Sequence, residues 1–91
     1  MRILTICGAG QGTSLILKMN VEDVLGDLDY EANVDFTDVS SARGDTADII
    51  VTNPELAPRL EGHSAEVVVV KSYVDKDEIR EALAPVLERQ A

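Results

Sequence analysis

Apolar and polar positions alternate along this chain in two rhythms, one of strands and one of helices. Residues 2–7 (Arg-Ile-Leu-Thr-Ile-Cys) are rich in β-branched and apolar types and predict a first strand. From about Ser14 to Leu28, the residues Leu17, Val21, Val24, Leu25 and Leu28 recur at helical spacing, the face of a helix laid on a sheet. Gly26 weakens the last turn of that helix. At 32–36, Ala32, Val34 and Phe36 point one way and Asn33 and Asp35 the other, which predicts a half-exposed edge strand. Ile49-Ile50-Val51 is a continuous apolar run, expected of a strand covered on both faces, and Val67 to Val70 reads as a fourth strand. Between them, residues 40–46 are polar and turn-rich, and Glu61-Gly62-His63-Ser64 is a loop. Asn53-Pro54 reads as a helix cap with proline at the first helical position, and Pro58 keeps that helix short. A last helix is expected from near Asp75, with Glu78 three residues on as in a capping box. Its stripe is Ile79, Ala82, Leu83, Val86 and Leu87, and Pro85 within it is expected to kink the helix or end it early.

Strands alternating with helices imply parallel pairing through right-handed crossovers. The expected fold is α/β, a small three-layer α/β/α sandwich on a four-stranded parallel sheet, as one domain over residues 1–91. Such sheets bind ligands beyond the carboxyl ends of their strands, where the strand order reverses. The loop after strand 1 falls there.

Composition narrows the function. Acidic residues outnumber basic ones 17 to 8, a net charge of −9, which argues against nucleic acid and against an anionic membrane surface. Aromatic residues make up only 3%, too few for a base-stacking surface. The apolar runs are too short to insert in a bilayer, and Met1-Arg2-Ile3-Leu4 enters the first strand without a cleavable signal pattern, so a cytoplasmic protein is expected. One cysteine makes no internal disulfide and one histidine no structural zinc site, so neither metal nor cofactor is expected.

The chemistry concentrates in Cys7-Gly8-Ala9-Gly10-Gln11-Gly12-Thr13-Ser14. Its three glycines allow a tight turn that points backbone N–H groups at one place. The following helix adds its positive dipole end and unpaired amides, so Gly8 to Ser14 read as a phosphate cradle with hydroxyl donors at Thr13 and Ser14. A cysteine at the mouth of such a cradle is favoured as thiolate and is placed to be a nucleophile that carries a phosphoryl group. There is no Lys as in nucleotide-binding loops, and the Gly-x-Gly-x-Gly spacing departs from the dinucleotide fingerprint. Cysteine phosphatases place Arg where this chain has Thr13; without that cation, hydrolysis of a thiophosphate is expected to be slow.

The segment Cys-Gly-Ala-Gly-Gln-Gly-Thr-Ser at the end of an N-terminal strand resembles the phosphocysteine loop of enzyme IIB components of the bacterial sugar phosphotransferase system. The likeness is greatest to the ascorbate-type IIB proteins, whose loop reads Cys-Gly-x-Gly-Gln-Gly-Ser-Ser. Leu17-Lys18-Met19, Ala47-Asp48-Ile49-Ile50 and the C-terminal helix extend it over essentially the whole chain. The resemblance implies a lactose/cellobiose-like IIB fold with strand order 2-1-3-4. It implies that phosphohistidine on enzyme IIA donates a phosphoryl group to Cys7, which passes it to a sugar or sugar-like substrate carried by the membrane component, enzyme IIC. Gly8, Ala9, Gly10, Gln11, Gly12, Thr13 and Ser14 carry over as the phosphate cradle. The location implied is cytoplasmic, at the inner face of the membrane through enzyme IIC. Two other readings of the loop stand beside this one: a low-molecular-weight cysteine phosphatase, and a non-catalytic anion-binding module.

Other residues are read more plainly. Lys18 is a surface charge, or a phosphate or partner contact; His63 is expected as a solvent-exposed loop residue; Arg43-Gly44-Asp45 is expected as a turn. Thr52-Asn53 and Lys71-Ser72-Tyr73 follow strands and are expected at the rim of the site, with Asn53 also a cap. Leu15, Ile16 and Met19 lie partly off the core stripe and are either core or an apolar collar where partners dock.

Overall fold

A computed structural model describes residues 1–6 and 11–90, the side chains of residues 11–14 excepted. Strands β1 (Arg2–Ile6), β2 (Asn33–Thr37), β3 (Ile49–Thr52) and β4 (Glu66–Val69) form one sheet in the order β2-β1-β3-β4. Every pair is parallel, with Ile3 beside Val34 and Ile49, and Val51 beside Val68. This is the α/β sheet and the strand order expected.

The alternation along the strands separates two cores. Ile3, Ile49, Val51, Val68 and Val70 face helices α1 (Gln11–Asp27) and α3 (Lys76–Gln90), which bring Leu17, Val21, Val24, Leu25, Ile79, Leu83, Val86 and Leu87. Leu4, Ile6 and Ile50 face the other way, onto a thin layer of α2 (Val39–Arg43) and a single 3-10 turn, Ala57–Leu60. That layer contributes Val39, Ala42, Leu56, Leu60 and Ala65.

Several boundaries depart from the sequence reading. Helix α1 begins at Gln11 and not near Ser14, so the backbone of residues 11–14 is its first turn. Gly12 has low helical propensity and hides that start. The helix closes on Asp29, whose φ of 60° is left-handed; Tyr30 N–H reaches the Leu25 carbonyl and Asp29 N–H the Gly26 carbonyl. These two bonds satisfy helix-end carbonyls in the Schellman arrangement, and Tyr30 packs back on the core. The polar stretch expected as turn contains α2, capped by Asp38, whose Oδ1 accepts from Ser41 N–H at 2.7 Å. Asn53 caps through its Oδ1, 2.8 Å from Leu56 N, but a turn and the 3-10 segment follow in place of an α-helix.

Helix α3 runs through Pro85 to Gln90 and does not end early. Pro85 is exposed on the outer face, where water can serve the carbonyl that loses its N–H partner, while buried Val86 and Leu87 hold the last turn down. Phe36 is the inward position that fails: it is 42% exposed, near the open end of edge strand β2, while Val34 alone of the pair is buried.

Candidate functional site

The carboxyl ends of β1 and β3 are neighbours, and their connections leave on opposite faces: α1 on one, the 3-10 turn on the other. This is the switch point at which a parallel sheet opens a crevice. Cys7 follows directly on Ile6, the last residue of β1, and α1 starts at Gln11. Cys7, Gly8, Ala9 and Gly10, and the side chains of Gln11, Thr13 and Ser14, lie outside the described residues, while Gly12 is described by its backbone alone.

Three features of the surroundings bear on what this place can bind. The start of α1 leaves its first amides without partners inside the helix. The first turn carries no acidic residue, so nothing there opposes an anion. Lys18, the first cation of α1, has its ammonium 3.4 Å from both carboxylate oxygens of Glu22 and is half-buried. It is engaged as an i,i+4 ion pair.

The rim is built from the ends of β3 and β4. Thr52 is wholly buried; its hydroxyl donates to the Ile6 carbonyl at 3.1 Å and so fixes the last peptide before Cys7. Asn53 Nδ2 donates to the Tyr73 hydroxyl oxygen at 2.5 Å, and Asn20 Nδ2, from α1, donates to the Tyr73 backbone carbonyl at 2.5 Å. The segment carrying Tyr73 is itself anchored from α3. Glu78 accepts from Lys71 N–H at 2.8 Å and from Ser72 N–H at 3.0 Å. The expected capping box is therefore half formed: Asp75 Oδ1 accepts from Glu78 N–H at 3.2 Å, while the Glu78 carboxylate serves the loop after β4. Thr52-Asn53 and Lys71-Ser72-Tyr73, expected at the rim, follow the ends of β3 and β4 and are joined through Asn53 and Tyr73, so Asn53 does more than cap. Asn20 and Glu78 were not foreseen as rim residues, since nothing in a helix pattern says which polar residue meets a loop far along the chain.

Leu15, Ile16 and Met19 are exposed at 44%, 46% and 55%, on the opening turns of α1. They are not core. Val74, next to Tyr73, is 71% exposed, and the bond from Asn20 to Tyr73 brings its segment against α1.

His63 is not simply solvent-exposed. Ala65 N–H donates to its Nδ1 at 2.9 Å, which leaves the ring proton on Nε2, 2.8 Å from the Ala42 carbonyl and 3.1 Å from that of Asp45. It ties the loop before β4 to α2. In Arg43-Gly44-Asp45, Gly44 caps α2 and Asp45 takes the Arg2 guanidinium in two bonds of 2.7 and 2.9 Å. The hydrogen bonds from Arg2, then the Thr46 amide, hold the Asp45 carboxyl below its ordinary range. A cavity of about 150 Å³ beside this loop is lined by Arg43, Arg59, Leu60, Glu61, Gly62 and His63. It lies on the amino-terminal side of the strands, away from the switch point. Among the described residues no group of three His, Cys, Asp or Glu could hold a metal ion, and no helix is long and apolar enough to cross a membrane.

Known proteins are similar to this chain in sequence and in fold. A family model described as the lactose/cellobiose-specific IIB subunit of the phosphotransferase system (PTS) matches residues 2–85. An ascorbate-specific PTS system EIIB component of Mycoplasma pneumoniae is 33% identical over 90 residues, covering 96% of this chain and 95% of that protein. The protein of the same description from Escherichia coli O157:H7 is 40% identical over 63 residues, 63% of this chain and 58% of its own length. Among solved structures, the lactose-specific IIB component domain from Streptococcus pneumoniae superposes with a TM-score of 0.67 at 19% identity, over 100% of this chain and 98% of that one. At that identity the likeness speaks for the fold.

Proposed function

Because the chain belongs to the lactose/cellobiose-specific IIB family of the phosphotransferase system, a component of sugar phosphotransfer, we propose that Cys7 is its phosphoryl acceptor and donor. The observation that carries this is the junction at the switch point, where β1 ends at Ile6, Cys7 follows, and α1 begins at Gln11 with no acidic residue in its first turn. In the first step the Cys7 thiolate attacks the phosphorus of a phosphohistidine on enzyme IIA. The P–N bond breaks and its electron pair returns to the imidazole. In the second, a hydroxyl of the substrate held by enzyme IIC attacks phosphorus, the P–S bond breaks, and Cys7 leaves as thiolate while the hydroxyl proton passes to solvent or a base.

Backbone amides from Gly8 to Ser14, with the hydroxyls of Thr13 and Ser14 and the side chain of Gln11, would hold the phosphoryl oxygens. A neutral cradle binds the group without a cationic clamp, which suits handing it on rather than hydrolysing it. An ascorbate-type substrate is favoured by the loop sequence and by the ascorbate-specific relatives. The chain would work in the cytoplasm, meeting the membrane through enzyme IIC.

Intact-mass measurement tests this directly, with phosphoenolpyruvate, the general phosphotransferase proteins and a candidate IIA of the ascorbate type. One phosphoryl group on Cys7, absent without IIA and absent in Cys7→Ser, is the expected result. Normal labelling of Cys7→Ser would refute the assignment. If nothing labels, an aryl phosphate assay separates the phosphatase reading from the anion-binding one.

A further inference from the structure

Positive charge is scarce in this chain and unevenly used. With 17 acidic residues against 8 basic ones, a cation finds a carboxylate readily. Arg2, Lys18, Lys76, Arg80 and Arg89 each do. Among the described residues Arg43, Arg59 and Lys71 make no ion pair, and the first two line the same cavity of about 150 Å³. Arg43 is the last residue of α2 and Arg59 lies in the 3-10 turn, so two separate elements each bring one guanidinium there. Like charges at one cavity repel, and here no protein carboxylate offsets them. Glu61 also lines the cavity but pairs with neither arginine, so the two cations outweigh the one anion.

The rest of the lining is fixed by the backbone. The Leu60 carbonyl accepts from His63 N–H at 3.1 Å, Glu61 has φ −59° and ψ 139°, and Gly62 has φ 86°. This is a type II turn, whose third position needs glycine. Among the described residues the Gly62 N–H has no partner, and Gly62 lines the cavity. His63 spends both ring nitrogens on protein: Nδ1 accepts from Ala65 N–H, and Nε2 meets the Ala42 and Asp45 carbonyls. It is therefore a wall and not a ligand. It ties the Gly62 turn to the end of α2 that carries Arg43.

Size and donor geometry select the occupant. A volume of 150 Å³ is well below the roughly 300–1,000 Å³ of sites for larger ligands, and admits a group of a few heavy atoms. One guanidinium fork satisfies both oxygens of a planar carboxylate, whereas a tetrahedral phosphate keeps oxygens for a second fork from another direction. We propose that this cavity is a binding site for a phosphate group, held by Arg43 and Arg59 with the Gly62 amide, at the end of the sheet opposite the switch point. A phosphate there joins α2 to the 3-10 turn and so braces the thin layer. The site is separate from the phosphoryl-transfer site and does not rest on that reading.

The test is a titration of the whole chain with inorganic phosphate, followed by amide NMR and by thermal melting, with sodium chloride holding ionic strength constant. The expected result is a saturable shift of the Gly62 and His63 amides, and a melting temperature raised by roughly 5 °C when phosphate exceeds its Kd about tenfold. Arg43→Gln and Arg59→Gln each remove a charge-assisted contact and should weaken binding about tenfold. Glu61→Gln removes the opposing carboxylate and should tighten it about threefold. Methyl phosphate binding as well as the free ion would identify a monoester as the ligand, and weaker binding the free ion; either supports the site. Acetate binding as tightly as phosphate would overturn the assignment. So would a response that does not saturate, that is equal in wild type and both arginine variants, or that is confined to residues 11–14 at the other end of the sheet. If an arginine variant fails to fold, Glu61→Gln decides: tighter binding supports the proposal and unchanged binding overturns it.

Discussion

At the scale of single residues, the polar groups that matter are those fixed by two partners at once. Asp45 is one. Its carboxyl is held low by the Arg2 guanidinium and the Thr46 amide, and Arg2 is correspondingly raised. A carboxyl whose value is lowered by folding adds stability above its unfolded value, and that stability is lost as pH falls through the folded value. Asp38, lowered first by the Ser41 backbone amide, behaves alike. Asp45→Asn should therefore melt slightly below wild type at neutral pH, with the difference shrinking below the ordinary carboxylate range and closing only once pH has fallen through the lowered value of the folded Asp45. Thermal melts at neutral pH and below that value would show it, and a gap that persists there would contradict it. The exposure of both side chains keeps the effect small. The sequence marked Asp45 only as part of a turn, because nothing local indicates a partner at position 2. His63 was hidden for the same reason: its three contacts reach back to α2 and forward to Ala65, and a loop pattern carries neither.

At the scale of elements, legibility followed length. The stripes of α1 and α3 could be read because four or more apolar residues repeat in each, and all four of Ile79, Leu83, Val86 and Leu87 are buried as expected. Helix α2 spans five residues with only Val39 and Ala42 buried, too few to show a period. Its signal was the cap, Asp38 followed three residues later by the Ser41 amide. The start of α1 was misplaced because loop and helix share glycine-rich sequence there. Gly26 offers a test of element stability. It lies on the exposed side of the last turns of α1, and a Cβ there would meet nothing within 4 Å. Gly26→Ala should stabilise the fold by about 0.5–1 kcal/mol. For a chain of this size that raises the melting temperature by about 2–8 °C. An unchanged or lower value would mean that the helix end depends on glycine for its closure on Asp29.

At the scale of the whole molecule, α1 does two things with two faces. One face is core; the other presents Leu15, Ile16 and Met19 beside the opening, with Val74 adjoining. Under the proposed function, such a collar would be a docking surface for enzyme IIA. Single replacements Ile16→Asp and Met19→Asp should leave the melting temperature close to wild type and weaken phosphoryl transfer by about tenfold, seen as a raised KM for phospho-IIA. Transfer at the wild-type rate would remove the collar from the partner interface. The parallel α/β class was legible from alternating elements alone, whereas the order β2-β1-β3-β4 came with the family likeness and not with periodicity.

The unequal covering of the sheet has a consequence for motion. One face is sealed by two long helices that also join through Lys76–Asp23 and Arg80–Asp27 ion pairs; the other by five residues of α2 and one 3-10 turn. The lowest-energy excursion from the native state should then be a partial opening of the thin side, with the thick side intact. That side is anchored by Ile6, the last residue before Cys7, and by Leu56, three residues after the Asn53 cap. The chain's softest fluctuation thus ends at the carboxyl ends of β1 and β3, the switch point of the sheet.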